Sequence, residues 1–120
     1  MRATSILVLA IVCVTAGMVA GYELALGKEN QHLERNKLLV RLSHEGVWSQ
    51  RDNAAAVRVA SEIYAPDFVL HDSTGDSTGL EQFVQGLKEN RADFPDWTEK
   101  VESLVAEGDW VAARFTSTGT

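Results

Sequence analysis

The chain has 120 residues, of which 45% are hydrophobic and 23% charged, and its formal net charge is −6 at pH 7. This length allows at most one ordinary domain, and the composition is that of a folded globular protein. The acidic balance, without any cluster of Lys and Arg, excludes a nucleic-acid partner, because phosphate recognition depends on such clusters.

The first 22 residues have the layout of an export signal. Arg2 is the only charged residue in this segment, Ile6 to Val14 is almost unbroken aliphatic sequence, and the residues that follow are small. This order is typical of a secretory signal peptide. The apolar run over residues 6–22 is also close to the lower limit of about 17 residues for a membrane span, so an uncleaved anchor is the alternative. Both interpretations predict an exported (periplasmic or extracellular) domain, or one tethered to the membrane outside the cytoplasm.

A long first helix is predicted over Lys28–Gln50, with residues 23–35 as a linker and the start of that helix. The segment contains no Pro, and Gly46 is its only Gly after the start. Three apolar residues offer an inward face: Leu39, Leu42 and Val47.

A second helix is predicted from about Ala54 to Tyr64. Asp52 or Asn53 can cap it, because either side chain can accept hydrogen bonds from the first free N–H groups. Pro66 ends the helix, since the residue before a proline is disfavoured in helical conformation.

The next segment predicts a short strand, a loop and a third helix. Phe68–Asp72 is the strand, and Ser73–Gly79 is the loop, because it is rich in Ser, Thr, Gly and Asp. Thr78 and Glu81 fit a capping box at the helix start. An amphipathic stripe at helical spacing follows: Leu80, Phe83, Val84 and Leu87.

Two further strands complete the pattern. They are predicted over Trp97–Val105 and Trp110–Thr118, with a tight hairpin turn at Glu107-Gly108-Asp109. Helices and strands in this order make an α+β domain, in which helices pack on one face of a mainly antiparallel sheet. Three strands cover the inner helices poorly, which predicts that the domain is incomplete at its C-terminus.

Six segments within residues 36–120 also carry a family resemblance: Asn36–Trp48, Tyr64–Asp72, Thr78–Phe83, Phe94–Trp97, Val105–Arg114 and Thr118–Thr120. In this order they resemble the SnoaL-like polyketide cyclase group of the nuclear transport factor 2-like superfamily, which also holds ketosteroid isomerase. The resemblance implies a cone-shaped roll, in which a curved antiparallel sheet wraps around N-terminal helices and a pocket opens at one end. It further implies that about the last third of the family domain, with a catalytic Asp and His, is absent.

Asp72 is the first candidate for chemistry. By its position it resembles the carboxylate base of ketosteroid isomerases. A carboxylate at the mouth of an apolar pocket loses hydration, which raises its pKa towards a value useful for removing a proton next to a carbonyl. The alternative is that Asp72 caps the Ser73–Gly79 turn through its side chain.

His71 and His44 are the other catalytic candidates. Strand alternation lets only one of His71 and Asp72 face a pocket. His44 resembles, by position, the hydrogen-bond donor to the enolate in ketosteroid isomerases, and such a donor stabilises oxyanion charge. Surface or structural roles are the simpler explanation for both histidines. No third ligand stands at a recognisable spacing, so no metal is predicted.

The aromatic residues suit a flat apolar ligand, although core packing is the simpler explanation for them. Trp48, Phe68, Phe83 and Trp97 are the predicted pocket residues, and Arg114 either lines the pocket or lies on the outer sheet face. The resemblance implies cofactor-free cyclase or isomerase chemistry on a small hydrophobic, carbonyl-containing compound, and a homodimer, for the full-length parent. The fragment itself is expected to be inactive. A non-catalytic module that binds a small ligand or a protein is the alternative.

Overall fold

The computed structural model describes the backbone of residues 2–120 and the side chains of residues 21–120. The chain divides into two compact units, Met1–Glu34 and Arg35–Thr120. The predicted signal peptide or anchor, residues 1–22, falls almost wholly outside the described side chains. Within the described part of the chain, no helix is both long and apolar enough to cross a membrane.

The first helix differs from its prediction at both ends. Helix α1 spans Arg2–Arg41, and a π-helical segment over Leu42–Trp48 follows it directly. The helix begins far before Lys28 because the segment before that residue, rich in Ala, Leu and Val, contains no Pro to stop it. The π-helical segment contains Gly46, at which a Cβ would make ordinary contacts of 3.6 Å with Leu42 and with Val59 of the neighbouring helix.

Helix α2 spans Asn53–Ile63 and matches its prediction closely. Asp52 is the cap, because its carboxylate accepts the N–H groups of Ala54 and Ala55 at 2.8 and 3.3 Å. Ala56 and Ala60 are fully buried on one face of this helix, where their small side chains permit close packing against Val47.

The segment predicted as a loop contains a strand instead. Strand β1 (Val69–Asp72) pairs antiparallel with strand β2 (Gly75–Thr78), so the Ser73–Gly79 prediction was wrong beyond residue 74. Its Ser, Thr, Asp and Gly residues favour a loop locally, but pairing with β1 satisfies their backbone groups and prevails. Gly75, with φ of 134°, supplies the sharp turn that the pairing requires.

Helix α3 spans Gly79–Asp93, and its apolar stripe is confirmed: Phe83 and Leu87 are almost fully buried, at 2% and 1% exposure. The predicted capping box is wrong. Thr78 is the cap residue but makes no side-chain cap bond, and Gln82 rather than Glu81 reaches back to accept the N–H of Thr78 at 2.8 Å.

The last two strands are β3 (Thr98–Glu107) and β4 (Trp110–Thr118), joined by the predicted tight turn at Gly108. Their register shifts between Val101 and Ser103, which makes Glu102 the extra residue of a β-bulge. The bulge explains the mixed alternation of the sequence, because inward positions change from Val101 before it to Leu104 after it.

The α+β class is confirmed, with two differences in the sheet. The described residues form four strands rather than three, and these make two separate two-stranded sheets, β1–β2 and β3–β4. The core of the second unit lies between the π-helical segment, α2 and α3. Its buried members are Val47, Ala56, Ala60, Phe83 and Leu87.

Two glycines near α3 should respond oppositely to substitution. Gly86→Ala should raise the free energy of unfolding by about 0.5–1 kcal/mol, because a Cβ there meets open space and the helix gains propensity. Gly79→Ala should lower it by about 1–2 kcal/mol, because φ is +75° and a Cβ would lie 3.2 Å from the Pro66 carbonyl oxygen. Denaturant titration of both variants checks this, and equal effects would contradict the described start of α3.

Candidate functional site

A histidine–carboxylate pair lies between the helices and the β3–β4 hairpin. His44, in the π-helical segment, has its Nδ1 atom 2.6 Å from Oε2 of Glu99 on β3. Both side chains are largely shielded from solvent, with 16% and 8% exposed. The imidazole also packs on the ring of Phe115 from β4, with 4.1 Å between ring centroids. The pair therefore combines a titratable ring with an oriented carboxylate beside an apolar surface.

Glu99 is held at four points. Its second carboxylate oxygen, Oε1, accepts the indole N–H of Trp97 at 3.2 Å. Its backbone N–H donates to Oγ of Ser49 at 2.6 Å, and the same Oγ lies 2.8 Å from the Glu99 carbonyl oxygen. The carboxylate therefore presents one fixed oxygen to His44, which is the arrangement that orients a histidine in proton transfer.

Tyr64, at the end of α2, adds a phenol to this cluster. Its hydroxyl is hydrogen-bonded to Ser43, and its ring stacks on Phe68 with 4.5 Å between centroids. Burial raises the pKa of Tyr64, the Ser43 bond acts against this, and the negative charge of Glu99 raises it further. Tyr64 therefore stays protonated at neutral pH and remains a hydrogen-bond donor.

A second feature is an open cleft of about 1270 Å³ between α3 and the β1–β2 hairpin. Three of the predicted site residues line it: Trp48, Phe83 and Asp72. Phe68 contributes from behind, because its ring packs edge-on against Phe83 at 5.7 Å. The structure thus brings one predicted carboxylate and two predicted pocket aromatics to the same surface.

Asp72 does not have the pKa that we expected of a base. It is fully exposed, and its Oδ1 atom accepts hydrogen bonds from the hydroxyl and the backbone N–H of Thr74, at 2.6 and 2.7 Å. These bonds, the hydroxyl first, lower the pKa of Asp72 instead of raising it. The expectation of a raised pKa was therefore wrong, and the geometry is that of a turn cap. A catalytic role for Asp72 stays a prediction.

This lowered pKa should be visible by NMR. Asp72 should titrate below the range of ordinary aspartates, and Thr74→Val should move its pKa upwards, whereas Ser73→Ala next to it should leave it in place. At pH values above the ordinary pKa range of aspartate, the hydrogen bonds of this turn stabilise the folded state. This contribution is lost as the pH falls through the lowered pKa of Asp72. An Asp72 that titrates above the ordinary range in the wild type would contradict the described turn.

Besides His44, three predicted residues lie away from the cleft. His71 is bonded to Asp76 across the β1–β2 hairpin at 2.6 Å, and its side chain is 72% exposed. Arg114 is exposed and lies on the opposite face of β4 from Phe115. Of the two predicted positions for Arg114, the structure therefore has the one on the outer sheet face. Trp97 belongs to the Glu99 cluster and packs on Phe94. Their functional roles stay predictions.

The sequence reasoning missed Glu99, Ser49 and Tyr64. Glu99 had a usable signal, because it lies two residues before the buried Val101 and strand alternation turns both inward. An inward-facing carboxylate on a half-buried strand is a candidate for function. Among the residues with described side chains, no group of three His, Cys, Asp or Glu is placed to hold a metal ion.

A comparison with known families covers most of the second unit. Residues 38–120 match the family model described as SnoaL-like polyketide cyclase, which confirms the resemblance seen over residues 36–120. No curated protein matches the chain. The matched range contains the His44–Glu99 pair and every residue that lines the cleft.

Proposed function

Because the chain belongs to the SnoaL-like polyketide cyclase family, we propose that it cyclises or isomerises a small hydrophobic, carbonyl-containing compound, with His44 as the proton-transfer group. The expectation that the chain itself is inactive stays a prediction, and it leads to the opposite outcome in the turnover test below. The observation that carries the proposal is the shielded contact of 2.6 Å between His44 Nδ1 and Glu99 Oε2. A carboxylate in this position fixes the ring and stabilises the imidazolium that forms when the ring accepts a proton.

The chemistry follows from the two ring nitrogens. With Nδ1–H donating to Glu99, Nε2 carries the lone pair that removes a proton from carbon next to a substrate carbonyl. The C–H electron pair forms an enolate. In a cyclisation, the enolate carbon attacks a second carbonyl of the same molecule, the π bond of that carbonyl becomes an alkoxide, and His44 returns the proton to the alkoxide oxygen. In an isomerisation, His44 returns the proton to a different carbon of the same conjugated system. No cofactor is required, because the proton that leaves is returned.

The surroundings of the pair favour an apolar substrate. The Phe115 ring lies beside the imidazole, and Tyr64 adds a protonated hydroxyl within the same cluster. A neutral donor in a shielded site stabilises negative charge that develops on a carbonyl oxygen. These features support a flat, polyketide-like ligand. We further propose, from the composition of residues 1–22, that this chemistry takes place outside the cytoplasm.

The cleft supports a second candidate function, a binding module without chemistry. Trp48 and Phe83 offer an aromatic surface there, and Oδ1 of Asn90 is buried with no hydrogen-bond partner among the described residues. A ligand hydroxyl would satisfy that acceptor, which otherwise costs free energy. The lowered pKa of Asp72 makes its carboxylate a weaker base at this surface, which favours binding over chemistry there.

One variant of each member of the His44–Glu99 pair tests the proposed chemistry. His44→Ala and Glu99→Gln should lower the turnover of a panel of aromatic polyketide esters and ketones by about 10²–10⁴-fold, the usual contribution of a positioned acid or base. His71→Ala is the matched control, because His71 makes the same 2.6 Å contact to a carboxylate but with most of its side chain exposed to solvent. Its turnover should stay within about twofold of the wild type.

The same panel separates the two candidate functions. Turnover that survives His44→Ala would contradict the assignment of His44. If the wild type binds members of the panel without converting them, and Trp48→Ala abolishes this binding, the binding module replaces the enzyme as the function.

A further inference from the structure

The π-helical segment and the residue that follows it bring two side chains, those of His44 and Ser49, to the same residue of β3, Glu99. Residues five apart, such as His44 and Ser49, would point about 140° away from each other on an α-helix. In a π-helix the hydrogen bonds join residues five apart, so these residues become neighbours one turn apart. Accordingly, the N–H of Ser49 donates to the His44 carbonyl oxygen at 3.0 Å.

Both residues of this turn meet Glu99. His44 contacts the carboxylate at 2.6 Å, and Ser49 Oγ holds the backbone N–H and carbonyl oxygen at 2.6 and 2.8 Å. Two residues one π-helical turn apart therefore hydrogen-bond to both the side chain and the backbone of Glu99. The position of the Glu99 Cα is fixed relative to the same turn that carries the imidazole.

We propose that Ser49 is a positioning residue, which fixes the register of Glu99 against His44 and so sets the His44–Glu99 hydrogen bond. This inference rests on the proposed function for its catalytic meaning, but the hydrogen bond itself is measurable without any substrate. Ser49 acts through Glu99 and does not touch the reacting atoms.

A neighbouring contact on the same strand edge provides the control. Glu45 Oε1 accepts the N–H of Val101 at 3.1 Å, so it also docks the π-helical segment onto β3. It makes no described contact with the Glu99 side chain. Glu45→Ala should therefore weaken the docking without releasing the carboxylate, whereas Ser49→Ala should do both.

The readout is the Nδ1–H proton of His44 in the full chain, followed by NMR. In the wild type this proton should give a downfield signal that exchanges slowly with water and is lost in Glu99→Gln. Ser49→Ala should accelerate the exchange by about tenfold or more, the effect of weakening one shielded hydrogen bond. Glu45→Ala should leave the exchange rate within about twofold, and Ser49→Thr, which keeps the hydroxyl, should retain the signal.

Each outcome decides the proposal. Equal acceleration in Ser49→Ala and Glu45→Ala, in step with their loss of thermal stability, would overturn it, because Ser49 would then act only in folding. If Ser49→Ala does not fold, a folded Ser49→Thr that has lost the signal overturns the proposal, and one that keeps it supports the proposal. If Ser49→Ala accelerates the exchange of the His44 Nδ1–H proton but the protein converts no substrate, Ser49 remains a positioning residue and only the proposed catalytic function is overturned.

Discussion

The docking of the π-helical segment onto the edge of β3 is the contact on which the second unit depends. Strand edges present unpaired N–H groups, and burying them without partners is costly. Here the N–H groups of Glu99 and Val101, two residues apart on that edge, donate to Ser49 Oγ and Glu45 Oε1. Two side chains thus replace a neighbouring strand. They join the helices to the hairpin and bring His44 to Glu99.

The polar cluster and the cleft share one aromatic layer. Phe83 contacts Trp48 on the cleft side at 5.4 Å and Tyr64 on the other side at 5.0 Å. Tyr64 is hydrogen-bonded to Ser43, and the negative charge of Glu99 contributes to raising the pKa of Tyr64. Close-packed rings shift together when one of them is displaced. The Phe83 ring therefore connects the aromatic surface of the cleft with the hydrogen-bonded Tyr64 in one packed layer.

The elements that follow a strong local signal were predictable from the sequence, and those set by tertiary contacts were not. The stripe ending in Leu87 and the turn at Gly108 needed only periodicity and turn chemistry. Strand β2 was missed because its composition favours a loop and only pairing with β1 makes it a strand. The π-helical turn leaves no pattern over seven residues, so the approach of Ser49 to Glu99 could not be read from spacing. The bulge at Glu102 interrupts the alternation along β3, and this hid the fact that Glu99 and Val101 share the inward face before it.

That bulge divides the hairpin into two parts with different freedom to vary. Residues before Glu102 contact the π-helical segment through Glu99 and Val101. At the other end, the side-chain N–H of Asn36 on α1 donates to the Gly108 carbonyl oxygen at 3.3 Å, whereas the Trp110 side chain is 84% exposed. Because the bulge adds one residue at Glu102, the alternation of the residues after it does not determine which face of β3 Glu99 occupies. The exposed side chain of Trp110 can therefore be replaced, in evolution or in protein design, while the backbone contact at Gly108 and the residues around His44 keep their alignment.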